Sequence, residues 1–214
     1  MKMTVKNDIN TYTPDDCVYI WDNAFDPTLF PKMEEIDWKF KNTSNKKGPG
    51  IISWLCPVTE WEHKDTPAET AAVVEDNWNS TCKKFPFMKD ALGLLQKCGG
   101  QDFSILRAWI NGQTYGLGDD VHRDVSEEVG KTSEFFTFLF YINQEWGNDW
   151  GGETYLYNNN YDVLRAITPK PGRIAAFDSR LLHKGIAPNR QVIDLRMTLS
   201  LHTFRNKPKE DDGI

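Results

Sequence analysis

The chain has no long apolar run. Nothing in its 214 residues approaches the length of a membrane-spanning helix. The opening stretch MKMTVKNDINTYTPDD lacks the apolar core of a signal peptide, so a cytosolic location is expected. Positive charge is in deficit, with 25 Lys and Arg against 31 Asp and Glu and a formal charge of −6. Binding a phosphate backbone needs a basic surface, so neither nucleic acid as a partner nor demethylation of nucleic acid is expected. Cysteines are few. Cys17, Cys56, Cys82 and Cys98 stand apart with no C-x-x-C pair, which excludes a clustered structural zinc site and leaves four free thiols in a reducing compartment. Internal repeats and low-complexity tracts are missing too, and the length suits one domain, residues 1–214, with a substantial core. Histidine is scarce as well: His63, His122, His183 and His202 are the full set.

What is present divides into two textures. Residues 1–100 read as mixed and largely helical. CVYIWDNAF reads as a strand entering a turn. Asp26 followed by Pro27 gives an N-cap and a proline at the first helical position, predicting a helix from Pro27 to about Ile36. KNTSNKKGPG reads as a polar loop and IISWLCPV as a short strand. Apolar residues at helical spacing predict helices over about 67–83 and 87–98, the second stopped by Gly99-Gly100. Beyond Gly100, short runs of β-branched and aromatic residues alternate with Gly, Asn, Asp and Pro. Strands are expected at DFSILRAWI, near DDVHRDV, and at EFFTFLFYIN, GETYLYN, RAITP, GRIAAFD, LHKGIAP and LRMTLSLHTF. Many short, evenly spaced strands indicate a barrel or a double-sheet jelly roll. The expected fold is mainly β (α+β): a jelly-roll core over 101–206, buttressed by the helical and mixed N-terminal part.

Chemistry concentrates at His122-Arg123-Asp124. On an extended chain, residues i and i+2 point the same way, so His122 and Asp124 can reach one ion while Arg123 points elsewhere. Two His and one carboxylate on one face of an octahedron form the ligand set of non-haem Fe(II) oxygenases. His183, in FDSRLLHKGIAP, is the candidate for the second imidazole; His63 and His202 have no matching context and read as structural. Arg196 lies thirteen residues after His183 on an otherwise apolar strand, with Thr198 on the same face. A guanidinium is costly to bury unpaired and its planar fork suits a carboxylate, so this strand fits a bound dicarboxylate. The alternative is an edge position with Arg196 in solvent, which would pass the carboxylate role to Arg107 or Arg173.

In these residues the sequence resembles the 2-oxoglutarate/Fe(II)-dependent dioxygenase superfamily, and within it the prolyl 4-hydroxylase-like branch. Four segments carry the resemblance in order: WINGQTY with HRD; TFLFYINQEWGNDWGGETYLY with its Gly-Gly-x-Thr turn; PKPGRIAAFDSRLLHKGIAP; and RMTLSLHTF. The resemblance implies a double-stranded β-helix in which His122, Asp124 and His183 hold Fe(II). It implies Arg196 and Thr198 as the anchor for 2-oxoglutarate. Trp109 stands where the branch has a co-substrate-binding Tyr, and Tyr115 is the other candidate for that duty. Fe(II), 2-oxoglutarate and O2 are the implied cofactors and co-substrates, with ascorbate as an optional reductant. The implied reaction is hydroxylation of an unactivated C–H bond, with release of succinate and CO2. A peptide or protein substrate, through peptidyl proline, is the leading expectation, and a free amino acid, sugar or other small metabolite is the alternative. Retention of the Asp124 carboxylate favours hydroxylation over halogenation, and Arg196 argues against a non-catalytic cupin-like metal module.

Overall fold

The computed structural model describes residues 3–42, 52–59, 66–99, 102–128 and 133–206. Most of the KNTSNKKGPG loop, His63 and the C-terminal tail lie outside these residues. Among the described residues, ten strands form two antiparallel sheets. The larger contains β1 (Tyr19–Trp21), β2 (Lys39–Asn42), β3 (Ile52–Pro57), β4 (Ser104–Gln113), β5 (Ser133–Tyr141), β8 (Ile174–Asp178) and β10 (Arg196–Asn206) in the order β1-β8-β5-β10-β4-β3-β2. The smaller contains β6 (Thr154–Tyr157), β7 (Val163–Ile167) and β9 (Leu182–Gly185) in the order β7-β6-β9. Three strands from before residue 100 therefore extend the large sheet.

Both faces of the large sheet are covered, which explains why every residue of β5 is buried. One face packs under α1 (Pro67–Asp76), α2 (Trp78–Lys84) and α3 (Met88–Gly99). Met197, Leu199 and Leu201 of β10 join Val74, Met88 and Leu95 of the helices in that core. Full burial of each such side chain contributes about 1.5–3 kcal/mol. The other face looks toward the small sheet, where Leu139, Tyr141 and Phe177 pack with Leu156 and Ile167. The period of two along β10 then puts Arg196, Thr198, Ser200 and His202 between the sheets, all buried.

The expected helix over 27–36 does not form. Asp26 caps only a 3-10 turn at Pro27–Leu29, and a second turn follows at Met33–Glu35. Pro31 is the cause: the residue before a proline is driven out of helical geometry, and Phe30 is extended (φ −109°, ψ 154°). The expected helix over 67–83 is two helices broken at Asn77, whose side chain donates back to the Val73 carbonyl. The segment near DDVHRDV is not a regular strand. It touches β9 and the turn before it at three uneven points: Asp119 N–H to Gly185, the paired backbones of His122 and His183, and Asp124 N–H to Ser179. β2, an edge strand, had no counterpart in the sequence reading.

Candidate metal centre

The two chain segments meet through backbone first. His122 N–H donates to the His183 carbonyl (3.0 Å) and His183 N–H to that of His122 (2.9 Å). This antiparallel bridge sets the two imidazoles side by side, ring centroids 4.3 Å apart. Asp124 then brings Oδ1 to 3.6 Å from Nε2 of His122 and Oδ2 to 3.4 Å from Nε2 of His183. The ligand-capable atoms of the three residues all lie within 4.8 Å of one another. Arg123 turns away, with Nε on the Arg180 carbonyl and its fork on Asn159 and Glu127.

The tautomers follow from the partners. Nδ1 of His122 faces the Asp120 carbonyl at 2.8 Å, and Nδ1 of His183 faces that of Leu181 at 3.0 Å. A carbonyl only accepts, so each Nδ1 carries a proton, and the Nε2 atoms are the ones left to face a metal. Asp124, 5% exposed, accepts a 2.6 Å hydrogen bond from the Thr137 hydroxyl, which also meets Ser179 Oγ at 2.9 Å. His202 Nδ1 stands 3.7 Å and Arg107 3.8 Å from Asp124 Oδ1, and Arg107 reaches His202 Nδ1 at 3.0 Å. Trp109 lies beneath the Arg107 guanidinium and beside the His202 ring.

Burial would raise the Asp124 carboxyl, but its interactions with His202, His183 and His122 outweigh it and hold the group well below the usual carboxylate range. Burial pushes His183 down to about 4 and His202 down to about 3. Burial also pulls on His122, but the hydrogen bond and charge of Asp124 prevail and hold it up at about 9. The His122 side chain is 41% exposed, so water damps that rise.

Arg196 is buried, with Nε on the Gly152 carbonyl (2.8 Å), one terminal nitrogen on Gln113 Oε1 (3.0 Å) and the other on the Thr154 hydroxyl (2.7 Å). Thr198 Oγ1 lies 3.5 Å away, and the guanidinium sits 5.3 Å above the Tyr141 ring. A side chain on Gly152 would meet Arg196 Cγ at 3.1 Å, which explains a glycine there. All these partners are neutral, and no ion pair among the described residues includes Arg196. A buried cation whose direct partners are all neutral is expensive, so the pocket suits an incoming carboxylate. Trp109 lies on β4 near Asp124, whereas Tyr115 is 63% exposed on the turn after β4. Arg173, the fallback carboxylate partner, is paired with Asp22.

Sequence reasoning passed over Gln113, Thr137, Tyr141 and Thr154, and it took His202 as structural. All four lie inside the segments WINGQTY and TFLFYINQEWGNDWGGETYLY. His202 is six residues from Arg196, so the same alternation that aligned Thr198 also aligns it.

The 2OG-Fe(II) oxygenase superfamily matches residues 110–203, which contain all three clustered residues and Arg196. That match spans less than half of the chain and marks a likeness to the superfamily over the segment that carries the site. Solved structures of similar fold include a prolyl-4-hydroxylase from Pseudomonas putida (13% identity, 92% of this chain and 98% of that one, TM-score 0.50). A prolyl hydroxylase from Trichoplax adhaerens, in complex with a hypoxia inducible factor oxygen degradation domain peptide fragment, is 16% identical over 92% of this chain and 89% of that one (TM-score 0.52). The non-heme alpha ketoglutarate dependent carbocyclase SnoK from nogalamycin biosynthesis is 10% identical over 85% and 75% (TM-score 0.50). At these identities the likeness is one of fold. No curated protein matches the chain in sequence. That superfamily implies Fe(II), 2-oxoglutarate and O2, and the donor set fits: two imidazoles, one carboxylate and a buried cation facing neutral acceptors. No helix among the described residues of the chain is long and apolar enough to cross a membrane.

Proposed function

We propose that this protein is a 2OG-Fe(II) oxygenase that hydroxylates an unactivated C–H bond of peptidyl proline, with Fe(II) held by His122, Asp124 and His183. Arg196, supported by Thr198, holds the far carboxylate of 2-oxoglutarate, and Trp109 and Tyr115 assist at the same co-substrate. The observation that carries the reading is the convergence of two imidazole Nε2 atoms and one carboxylate, together with a buried guanidinium whose direct partners are all neutral. When bound, iron and 2-oxoglutarate supply the oxidising power: one oxygen atom of O2 enters the substrate C–H bond, the other enters succinate, and CO2 leaves. The protein's part is orientation and exclusion of water. The Asp120 and Leu181 carbonyls hold a proton on each Nδ1 and turn the Nε2 atoms toward Asp124. Thr137 fixes one carboxylate oxygen of Asp124. Leu139, Leu156 and Phe177 between the sheets keep the surroundings apolar. Ascorbate serves as a reductant in this reading. The chain works as one cytosolic domain, residues 1–100 supporting a catalytic core over 101–206.

A peptide substrate draws support from the Trichoplax adhaerens enzyme, which was solved with a peptide. The carbocyclase of nogalamycin biosynthesis shares the fold, which favours a small metabolite as the second reading. The test is mass spectrometry after incubation with Fe(II), 2-oxoglutarate and O2, using proline-containing peptides beside free amino acids and sugars. A peptide that gains one oxygen atom supports the first reading. A metabolite that gains it while every peptide stays unchanged supports the second. A protein that yields no succinate with any of them is not the proposed hydroxylase.

A further inference from the structure

Between Tyr115 and His122 the chain carries the segment GLGDDV, and Asp119 from it turns inward. Its Oδ2 accepts a 2.9 Å hydrogen bond from Nε2 of Gln113, and its backbone N–H donates to the Gly185 carbonyl at 2.9 Å. Gln113, 1% exposed, also has Nε2 3.5 Å from that carbonyl, while its Oε1 accepts from Arg196 at 3.0 Å. The amide has one workable orientation. Reversing it would set its carbonyl against the Asp119 carboxylate and its N–H groups against the guanidinium. The space is reserved as well: a side chain on Gly185 would lie 2.5 Å from Gln113 Nε2 and 2.8 Å from Asp119 Oδ2. Gly185 is two residues beyond His183 on β9.

We propose that Asp119 and Gln113 form a positioning relay that turns the Arg196 guanidinium toward the co-substrate and ties it to the strand bearing His183. Asp119 fixes the amide; the amide's oxygen fixes one arm of the fork; the Gly152 carbonyl and the Thr154 hydroxyl fix the rest. Neither relay residue belongs to the His122, Asp124 and His183 cluster. The relay rests on the reading of Arg196 as the 2-oxoglutarate anchor, deepens it, and can fail without it.

The experiment measures two affinities on the full chain without oxygen: Fe(II) alone, and 2-oxoglutarate on the Fe(II)-loaded protein, followed by the metal-to-ligand absorption band. Melting temperature serves as the check on folding. Gln113→Glu offers Arg196 an internal carboxylate that competes with the co-substrate, so 2-oxoglutarate affinity should fall by about tenfold to a hundredfold. Asp119→Ala, a change on a loop, frees the amide to turn and should cost about threefold to tenfold. Asp119→Asn, whose side-chain carbonyl still accepts from Gln113, should stay within about twofold of wild type. Fe(II) affinity should hold in all three, which a general loosening of the site would not allow. Arg196→Ala separates the two ideas. If it weakens 2-oxoglutarate while Gln113→Glu or Asp119→Ala binds normally, the relay is overturned and the anchor stands. If Asp119→Asn is as damaging as Asp119→Ala, a charge effect replaces the relay. If Arg196→Ala binds 2-oxoglutarate like wild type, the anchor falls and the relay with it.

Discussion

Replacing Thr137 by valine would remove one hydroxyl from β5 and leave the shape of the side chain nearly unchanged. That hydroxyl donates to Asp124 Oδ2 at 2.6 Å, and both side chains are shielded from water. A hydrogen bond to a charged group is worth about 1.5–3 kcal/mol. In the metal-free protein the whole of this falls on stability, because Asp124 stays ionised among His122, His183 and His202. For a chain of this size, about 2–4 °C per kcal/mol gives a melting temperature lower by roughly 3–12 °C. The effect on metal affinity is a separate quantity. It measures only how much better the hydroxyl holds the carboxylate in its ligating pose than in its metal-free pose. Loss of such an outer partner typically weakens metal binding by about tenfold to a hundredfold. The assay is thermal melting without metal beside anaerobic Fe(II) titration. A lower melting temperature with unchanged Fe(II) affinity would show that Thr137 stabilises Asp124 without orienting it. No change in either would refute the hydrogen bond itself.

His122→Ala or His183→Ala should abolish measurable Fe(II) binding, since two remaining ligands hold the ion weakly; near-wild-type affinity in both variants would remove the site. Arg196→Ala should raise the dissociation constant for 2-oxoglutarate by roughly one to three and a half decades, because the far carboxylate is left buried without its partner at a cost of about 2–5 kcal/mol. Arg196→Lys should keep part of that binding, since a point charge replaces a fork; the same titration reads both. The metal-free protein should lose stability on acidification. His183 and His202 protonate at about 4 and about 3 when folded but near 6.5 when unfolded, so their contribution is intact above pH 6.5 and drains as the pH falls toward 4. Each imidazole contributes at most about 1.4 kcal/mol per pH unit in that window. His122, held up, is protonated in both states there and stays neutral in the balance. A melting temperature flat from pH 7 to pH 4.5 would contradict buried, uncharged imidazoles.

Much of the architecture was legible in local pattern. The strands of 104–206 were readable because β-branched and aromatic runs broke at Gly, Asn, Asp and Pro. The helix over 88–99 ended near the glycines that marked its stop. The helix over 27–36 was misread because the capping signal at Asp26 and Pro27 was weighed without Pro31. That is a local fact the sequence did contain.

Alternation by itself determined that His122 and Asp124 share a direction, that Arg123 opposes them, and that Arg196 and Thr198 share a face. These depend only on the geometry of an extended chain, and no distant residue can change them. Which far residues complete the site was a tertiary decision. His202 reaches Asp124 because β10 lies between β4 and β5 in the large sheet. Gln113 reaches Asp119 because β4 ends where β9 carries Gly185, a position where a methyl group would close the gap. Strand order and register arise from packing two sheets and three helices around shared cores, so residues far apart in sequence became neighbours through contacts that no local pattern encodes.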